Sequence, residues 1–305
     1  MRLHNRKRSI LITGCSTGGA GHALALEFAA QGLRVFATAR STKSLIQLEE
    51  KGIEMLPLDV TKIESINTLK DEISKRTGGK LDILFNNAGT MYEAPAIEAS
   101  PARIRSMYDT NVFGVFNMIS TFTPLLLASV SPSSGLPPTI INTSSILSRL
   151  PYPFAAAYNA SKAAVSSYTD TLRIELAPLG IKVVTLFMGE VATGLMSDSI
   201  TFGAESLYHD FEERLKERTR NHVKNSMKPE LFAKQVASVV ILKNPGIKEG
   251  EYIWKGTNAW IVWLLNVVGW RKIFDRTVEA PVGLDKKELR KALFEKGQRS
   301  VKVGG

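Results

Sequence analysis

The chain has one cysteine, four histidines and no apolar stretch longer than about a dozen residues. The lone Cys15 excludes an intrachain disulfide and fits a reducing compartment such as the cytosol. His4, His22, His209 and His222 show no i,i+4 pairing and no metal-ligand spacing, which leaves them surface or capping roles and predicts no metal site. No secretory signal is evident, because the basic start "MRLHNRKR" is followed only by the short run "SILI" before polar and glycine residues intervene. The most apolar segment, "AWIVWLLNVVGW" from Ala259 to Trp270, falls short of the roughly 18–20 residues of a bilayer-crossing helix. Its three tryptophans, with Lys255, Arg271 and Lys272 nearby, suit an interfacial anchor; a buried helix or a dimer contact explains the same residues.

Acids are missing from the first eight residues, which carry Arg2, Arg6, Lys7 and Arg8, while residues 271–305 hold ten Lys/Arg against five Asp/Glu. The net charge of +10 therefore sits at the two ends and the long middle is nearly neutral. That distribution argues against a nucleic-acid groove through the body, and the basic ends suit either an anionic membrane surface or plain solvation.

With 44% hydrophobic and 22% charged residues, the chain can bury a large core. The runs "SILIT", "LRVFATAR", "IEMLPLDV", "LDILFNNAG", "TIINTSS" and "IKVVTLFMG" read as strands, and segments of helical periodicity separate them. Strands joined by helices of this length need right-handed crossovers, which predicts an α/β fold: a single Rossmann-type, doubly wound parallel sheet with helices on both faces over residues 1–250. The pattern breaks from Glu190 to Met227, so a substrate loop or lid is expected at about 190–228, at the carboxyl ends of the strands. Residues 251–305 are expected to form a C-terminal extension, with the apolar segment 259–270 followed by a basic tail.

Three motifs carry chemistry. The loop "TGCSTGGAG" (residues 13–21) lies between a strand and a helix, where glycines allow a tight turn, close approach to a pyrophosphate and free amides at a helix N-terminus. Gly14 and Gly21 bracket one residue more than the usual spacing, so Gly18 and Gly19 share the middle position; keeping the usual spacing would instead put the methyl of Ala20 at the close contact. Cys15, beside the helix start, could have a lowered pKa there, although packing also explains it. At the end of the second strand, "ATAR" offers Arg40 where an acid would hold ribose hydroxyls, and a guanidinium there pairs with a 2′-phosphate, predicting NADPH. Tyr158 and Lys162, four apart, share one side of a helix, and the ammonium is expected to lower the phenol pKa from its usual value of about 10.

The glycine loop, "NNAG" at Asn86–Gly89, "TNVFG" around Asn111, Ser145 thirteen residues before Tyr158, and the Tyr158/Lys162 pair together make residues 8–250 resemble the short-chain dehydrogenase/reductase family. The resemblance implies a catalytic set of Asn111, Ser145, Tyr158 and Lys162. Ser145 would bond the substrate carbonyl and Tyr158 would protonate it; Lys162 would tune Tyr158 and bind the nicotinamide ribose, and Asn111 would hold a water linking Lys162 to solvent. Ser144 is a rival to Ser145, but neighbours in a strand face opposite ways. Implied cofactor contacts are Gly14, Ser16, Thr17, Gly18, Gly19, Gly21 and Arg40 on the phosphate and adenosine side. Asp59 would meet the adenine by its side chain with Val60 supplying a backbone contact, Asn87 and Gly89 would shape the cofactor floor, and Val191 and Thr193 would meet the carboxamide and phosphates. Met188-Gly189 replaces the family's Pro-Gly after the sixth strand.

Within the family, "TGCSxGGxG", "LDILFNNAG", "NVFGVFNM", "GEVATGL" and the apolar-then-basic C-terminus are similar to fungal 1-acyldihydroxyacetone-phosphate reductases and related lipid-associated reductases. The expectation is an NADPH-dependent reductase of a lipophilic ketone, with 1-acyldihydroxyacetone phosphate as one candidate. It would act in the cytoplasm or peripherally on endoplasmic reticulum or lipid droplets, as a homo-oligomer. The alternative is an oxidoreductase of a fungal specialised-metabolite pathway acting on a terpenoid or polyketide; a non-catalytic NADP-binding regulator would not need a proton donor.

Overall fold

A computed structural model describes residues 6–131, 136–196, 200–241, 252–269 and 274–302. Arg2, His4, Trp270, Arg271 and Lys272, singled out above, lie outside the described residues. Seven strands, β1 (Ser9–Ile12), β2 (Arg34–Ala39), β3 (Glu54–Pro57), β4 (Ile83–Asn86), β5 (Thr139–Ser145), β6 (Lys182–Met188) and β7 (Tyr252–Lys255), form one sheet in the order β3-β2-β1-β4-β5-β6-β7. Every pairing is parallel. The winding reverses between β1 and β4, which opens a crevice at the carboxyl ends of the strands.

The helices are α1 (Ala20–Ala30), α2 (Ile63–Thr77), α3 (Pro101–Tyr108), α4 (Gly114–Leu127), α5 (Ala156–Leu176), α6 (Glu212–Asn225), α7 (Pro229–Ile241), α8 (Ala259–Val268), α9 (Asp275–Glu279) and α10 (Lys287–Lys302). Alternation along β1 separates two cores: Ile10 and Ile12 pack with Leu24, Phe28, Phe232 and Val236 of α1 and α7. Leu11 packs on the other face with Ile66, Phe122 and Leu172 of α2, α4 and α5. Helices therefore cover both faces, as the alternating pattern predicts.

Four details depart from the sequence reading. The sheet continues past residue 250, because β7 pairs with β6 from Thr185↔Tyr252 to Met188↔Lys255; a four-residue strand after an irregular stretch carries little periodic signal. "TKSLIQLEEK" winds as a 3₁₀ helix over Thr42–Lys51 rather than as an α-helix. The long helix of residues 101–127 contains a π-helical turn at Asp109–Phe113, a device often found at functional sites. Part of the basic start is tied to the body: Arg6 Nη2 meets Asp82 Oδ1 at 2.7 Å and Arg8 Nη2 donates to the Pro137 carbonyl at 3.0 Å. Residues 101–127 are apolar and long enough to cross a bilayer by length and composition, yet Val115, Met118, Phe122 and Leu126 are buried against the sheet.

Residues after β7 pack back over the carboxyl edge. Ala259 and Val262 of α8 join Phe274, Val278 and Ile146, and Val282 joins Phe154, Phe211 and Leu215. The outer side of α8 leaves Trp260, Trp263, Val267 and Val268 exposed.

The approach of α1 to the sheet is set by Gly21. A Cβ there would lie 2.4 Å from the Gly14 carbonyl oxygen and 2.5 Å from Asn87 Nδ2, neither of which is a flexible side-chain end free to retreat. Gly21→Ala is therefore expected to destabilise the fold by about 1–3 kcal/mol, the usual range for overpacking, measured as a lowered urea midpoint with unchanged m-value.

Candidate active site

A cavity of about 730 Å³ runs along the carboxyl edge of the sheet. The glycine loop closes one side. Gly14 (φ +73°) passes so near β4 that a Cβ would meet the Ala88 Cα at 2.8 Å, whereas Gly18 (φ +77°) has nothing within 4 Å. Gly19, in extended conformation, precedes α1, which has no side-chain cap and no acid in its first turn. Ser16, Thr17, Gly18 and Gly19 line the cavity beside this helix start, so the positive end of α1 and its uncapped amides suit an anionic pyrophosphate. Thr17 Oγ1 donates to the Ser44 carbonyl at 2.9 Å, which pins the loop to the 3₁₀ segment.

Arg40, Asp59 and Val60 line the same side at the ends of β2 and β3. Asp59 Oδ1 accepts from the Thr61 amide (3.0 Å) and hydroxyl (2.7 Å). Asn87 lies at the wall, with Nδ2 donating to the Thr13 and Gly14 carbonyls at 2.9 and 3.0 Å, and thereby ties the end of β4 to the loop. Gly89, Val191 and Thr193 also line the cavity. Cys15 does not behave as a helix-activated thiol: burial pushes it up to about 12, and Sγ donates to the Ile12 carbonyl at 3.3 Å.

Ser145, Tyr158 and Lys162 meet on the cavity wall. Ser145 closes β5, its Oγ accepting from the Leu147 amide at 3.1 Å, and lines the cavity beside Tyr158. Ser144 points the other way, into α5, with Oγ 2.7 Å from Ser166 Oγ and 3.1 Å from the Lys162 carbonyl it donates to. Lys162 Nζ donates to the Thr143 carbonyl at 2.8 Å and stands 5.9 Å from the Tyr158 ring centroid.

One expectation about this group is corrected. Burial drives the Tyr158 phenol up to about 12, against the pull of its Ser145 hydrogen bond, so it is not lowered by the neighbouring lysine. Burial likewise pushes Lys162 down to about 8, because its ammonium is equally cut off from water. Asn111 and Gly21 stand behind the cavity rather than on its wall. Asn111, in the π-helical turn, spends both Nδ2 donors on the Thr90 carbonyl (2.9 Å) and Ser161 Oγ (3.1 Å), and Oδ1 accepts from the Thr90 amide at 2.8 Å. These bonds make it a positioning residue for the Thr90 wall and the Ser161 turn beside Lys162.

The family model described as short chain dehydrogenase matches residues 8–201. The chain is a short-chain dehydrogenase. It is similar to the NADPH-dependent 1-acyldihydroxyacetone phosphate reductase of Schizosaccharomyces pombe, 36% identical over 82% of this chain and 86% of that protein. The short-chain dehydrogenase virD of Hypocrea virens is 34% identical over 87% of this chain and 89% of that one. A solved structure of a short-chain dehydrogenase from Streptomyces avermitilis superposes with a TM-score of 0.71 at 25% identity, covering 94% of this chain and 98% of the other. Membership in this family makes the protein a nicotinamide-dependent oxidoreductase.

The dehydrogenase site also recruits residues that the sequence reading passed over. Tyr152, Glu190 and His222 line the cavity beyond Ser145, and His222 is neither a surface nor a capping residue, since Nδ1 lies 3.2 Å from Glu190 Oε2. The hydrogen bond to His222, with those to Asn258, holds the Glu190 carboxyl below its ordinary range against its burial. Behind Tyr152, Arg218 pairs with Glu93 and lays its guanidinium over the Tyr152 ring at 4.6 Å. No spacing announces these partners, because Glu190, His222, Arg218 and Glu93 come from separate segments that meet only in the fold.

Tyr158→Phe is expected to lower kcat by about 10²–10⁴-fold while affinity for the nicotinamide cofactor holds. In the intact enzyme, Tyr158 stays protonated throughout the working range and Lys162 loses its charge near pH 8, so kcat/KM for reduction should be flat below about pH 8 and fall above it. Lys162→Arg, which does not titrate, should remove that fall in a pH–rate profile.

Proposed function

We propose that this short-chain dehydrogenase is an NADPH-dependent reductase of a lipophilic ketone. The observation that carries the reading is the meeting of Ser145, the buried Tyr158 and Lys162 on the wall of a cavity whose far side presents Arg40 and an uncapped helix start. NADPH, when bound, supplies the hydride. The residues around it supply everything else: the glycine loop and α1 hold the pyrophosphate, Arg40 takes the 2′-phosphate, and Lys162 reaches the nicotinamide ribose. Tyr158 gives its hydroxyl proton to the carbonyl oxygen as that oxygen gains charge, and Ser145 donates a hydrogen bond to the same oxygen. Hydride plus proton convert the ketone to a secondary alcohol, and the Tyr158 phenolate is reprotonated with the help of the Lys162 ammonium.

Two ketone classes stay in view. The similarity to the fission-yeast reductase supports 1-acyldihydroxyacetone phosphate, and the alternative is a fungal specialised-metabolite ketone of terpenoid or polyketide type. The exposed Trp260 and Trp263 on α8 favour an enzyme that works at a lipid surface, peripherally on endoplasmic reticulum or lipid droplets, and is otherwise cytoplasmic. Exposed Phe113 and Ile174, on helices of one face, favour a homo-oligomer, dimer or tetramer.

Arg40→Ala should raise the KM for NADPH by about ten-fold or more and leave that for NADH within about two-fold, the loss expected when one charge-assisted phosphate contact goes; equal loss for both would refute the 2′-phosphate role. Replacing Trp260 and Trp263 with Ser should cut sedimentation with anionic liposomes without changing the melting temperature, whereas a lower melting temperature with unchanged sedimentation would mark α8 as a structural element only.

A further inference from the structure

The cavity is not electrically uniform along its length. Strand order places Arg40 at β2, the glycine loop at β1, Ser145 at β5 and Glu190 just past β6, so Arg40 and Glu190 stand on opposite sides of Tyr158 and Ser145. Met188 is the register partner of Ser145, which brings Glu190, two residues on, out at the same edge. On this β6 side the described wall includes Ile146, Leu147, Leu150, Tyr152, Glu190 and His222, and none of the described residues lining it from Met188 to Met196 or at His222 is a lysine or arginine.

Glu190 is anchored there. Oε2 meets His222 Nδ1 at 3.2 Å and Oε1 accepts from Asn258 Nδ2 at 2.9 Å. An ionised carboxylate has about four lone-pair sites, so two partners leave room for a further donor. The Arg218 guanidinium does not line the wall, since Glu93 holds Nη2 and the Tyr152 ring covers its face, although its charge is felt by Glu190. Its Nε and Nη1 are buried without a protein partner, so a phosphate could recruit it only by displacing Tyr152.

We propose that Glu190 determines specificity at this site, selecting an uncharged lipophilic ketone that carries a hydroxyl group and turning away a phosphomonoester. The inference rests on the reductase reading and narrows its substrate. A substrate hydroxyl donating to Glu190 makes a charge-assisted hydrogen bond, whereas a phosphate dianion would meet the partly exposed carboxylate with no lysine or arginine among the described residues lining that side.

The decisive probes are 1-acyldihydroxyacetone and its phosphate with the same acyl chain, given to the full-length enzyme with NADPH. The hydroxyl probe is expected to have a kcat/KM about ten-fold or more above that of the phosphate. Glu190→Gln, which keeps an acceptor for Asn258 and removes the charge, should bring the ratio toward parity by raising the efficiency of the phosphate probe. Dissociation constants of both probes from the wild-type enzyme saturated with NADP+, measured by calorimetry, need neither a variant nor turnover. Preferential binding of the hydroxyl probe without turnover would refute the reductase reading and leave the selectivity of Glu190 standing. Phosphate bound as tightly as the hydroxyl probe or more so, no binding of the uncharged probe, or a kinetic ratio unmoved in a folded Glu190→Gln enzyme overturns the proposal.

Discussion

The missing side chain at Gly21 lets α1 begin almost in contact with β1, and the cavity is arranged around that approach. Where a Cβ would sit lie the Gly14 carbonyl and the Asn87 amide, and that amide in turn binds Thr13 and Gly14. The Thr13 hydroxyl accepts from the Asn87 and Ala88 amides at 3.0 and 2.9 Å, so β1, β4 and the start of α1 form one knot. Ala88 also limits Gly14 from the opposite side. A helix held one side-chain layer farther out would point its first amides away from the space that a pyrophosphate must occupy.

Burial sets the chemistry of the other wall. Tyr158 and Lys162 lie within a few ångströms of each other, but desolvation acts on both and favours neutral forms, which keeps the phenol a proton donor and softens the lysine. Asn111 contributes from behind, through a π-helical turn that fixes Thr90 and Ser161. The arrangement is preorganised: Ser144 and Ser166 lock β5 to α5, and Ser145 is left at the cavity.

The chain beyond β6 gives the site its individuality. Glu190 fastens to the Thr257 backbone in both directions at 3.0 Å, while its side chain reaches His222 on α6 and Asn258 before α8. At the same turn Gly189 and Gly256 touch backbone to backbone, where a Cβ on Gly189 would come within 2.3 Å of the Thr257 carbonyl oxygen; this contact shapes the turn that has Met188 in place of the family's proline. Helix α6, the last strand and the segment leading into α8 are thus joined at one charged residue on the cavity wall.

Alternation of apolar strands with amphipathic helices determined the doubly wound parallel sheet, since that pattern leaves few ways to bury its faces. Glycine spacing and the four-residue Tyr158–Lys162 interval marked the two reactive walls, because both are local in the chain. Tertiary structure alone decided what burial does to those groups. It also decided that β7 belongs to the sheet, that Asn111 acts from the second layer, and that Glu190, His222, Tyr152 and Arg218 gather at the β6 side. Those outcomes depend on desolvation and on contacts between distant segments, and neither has a period or a spacing that a linear sequence can display.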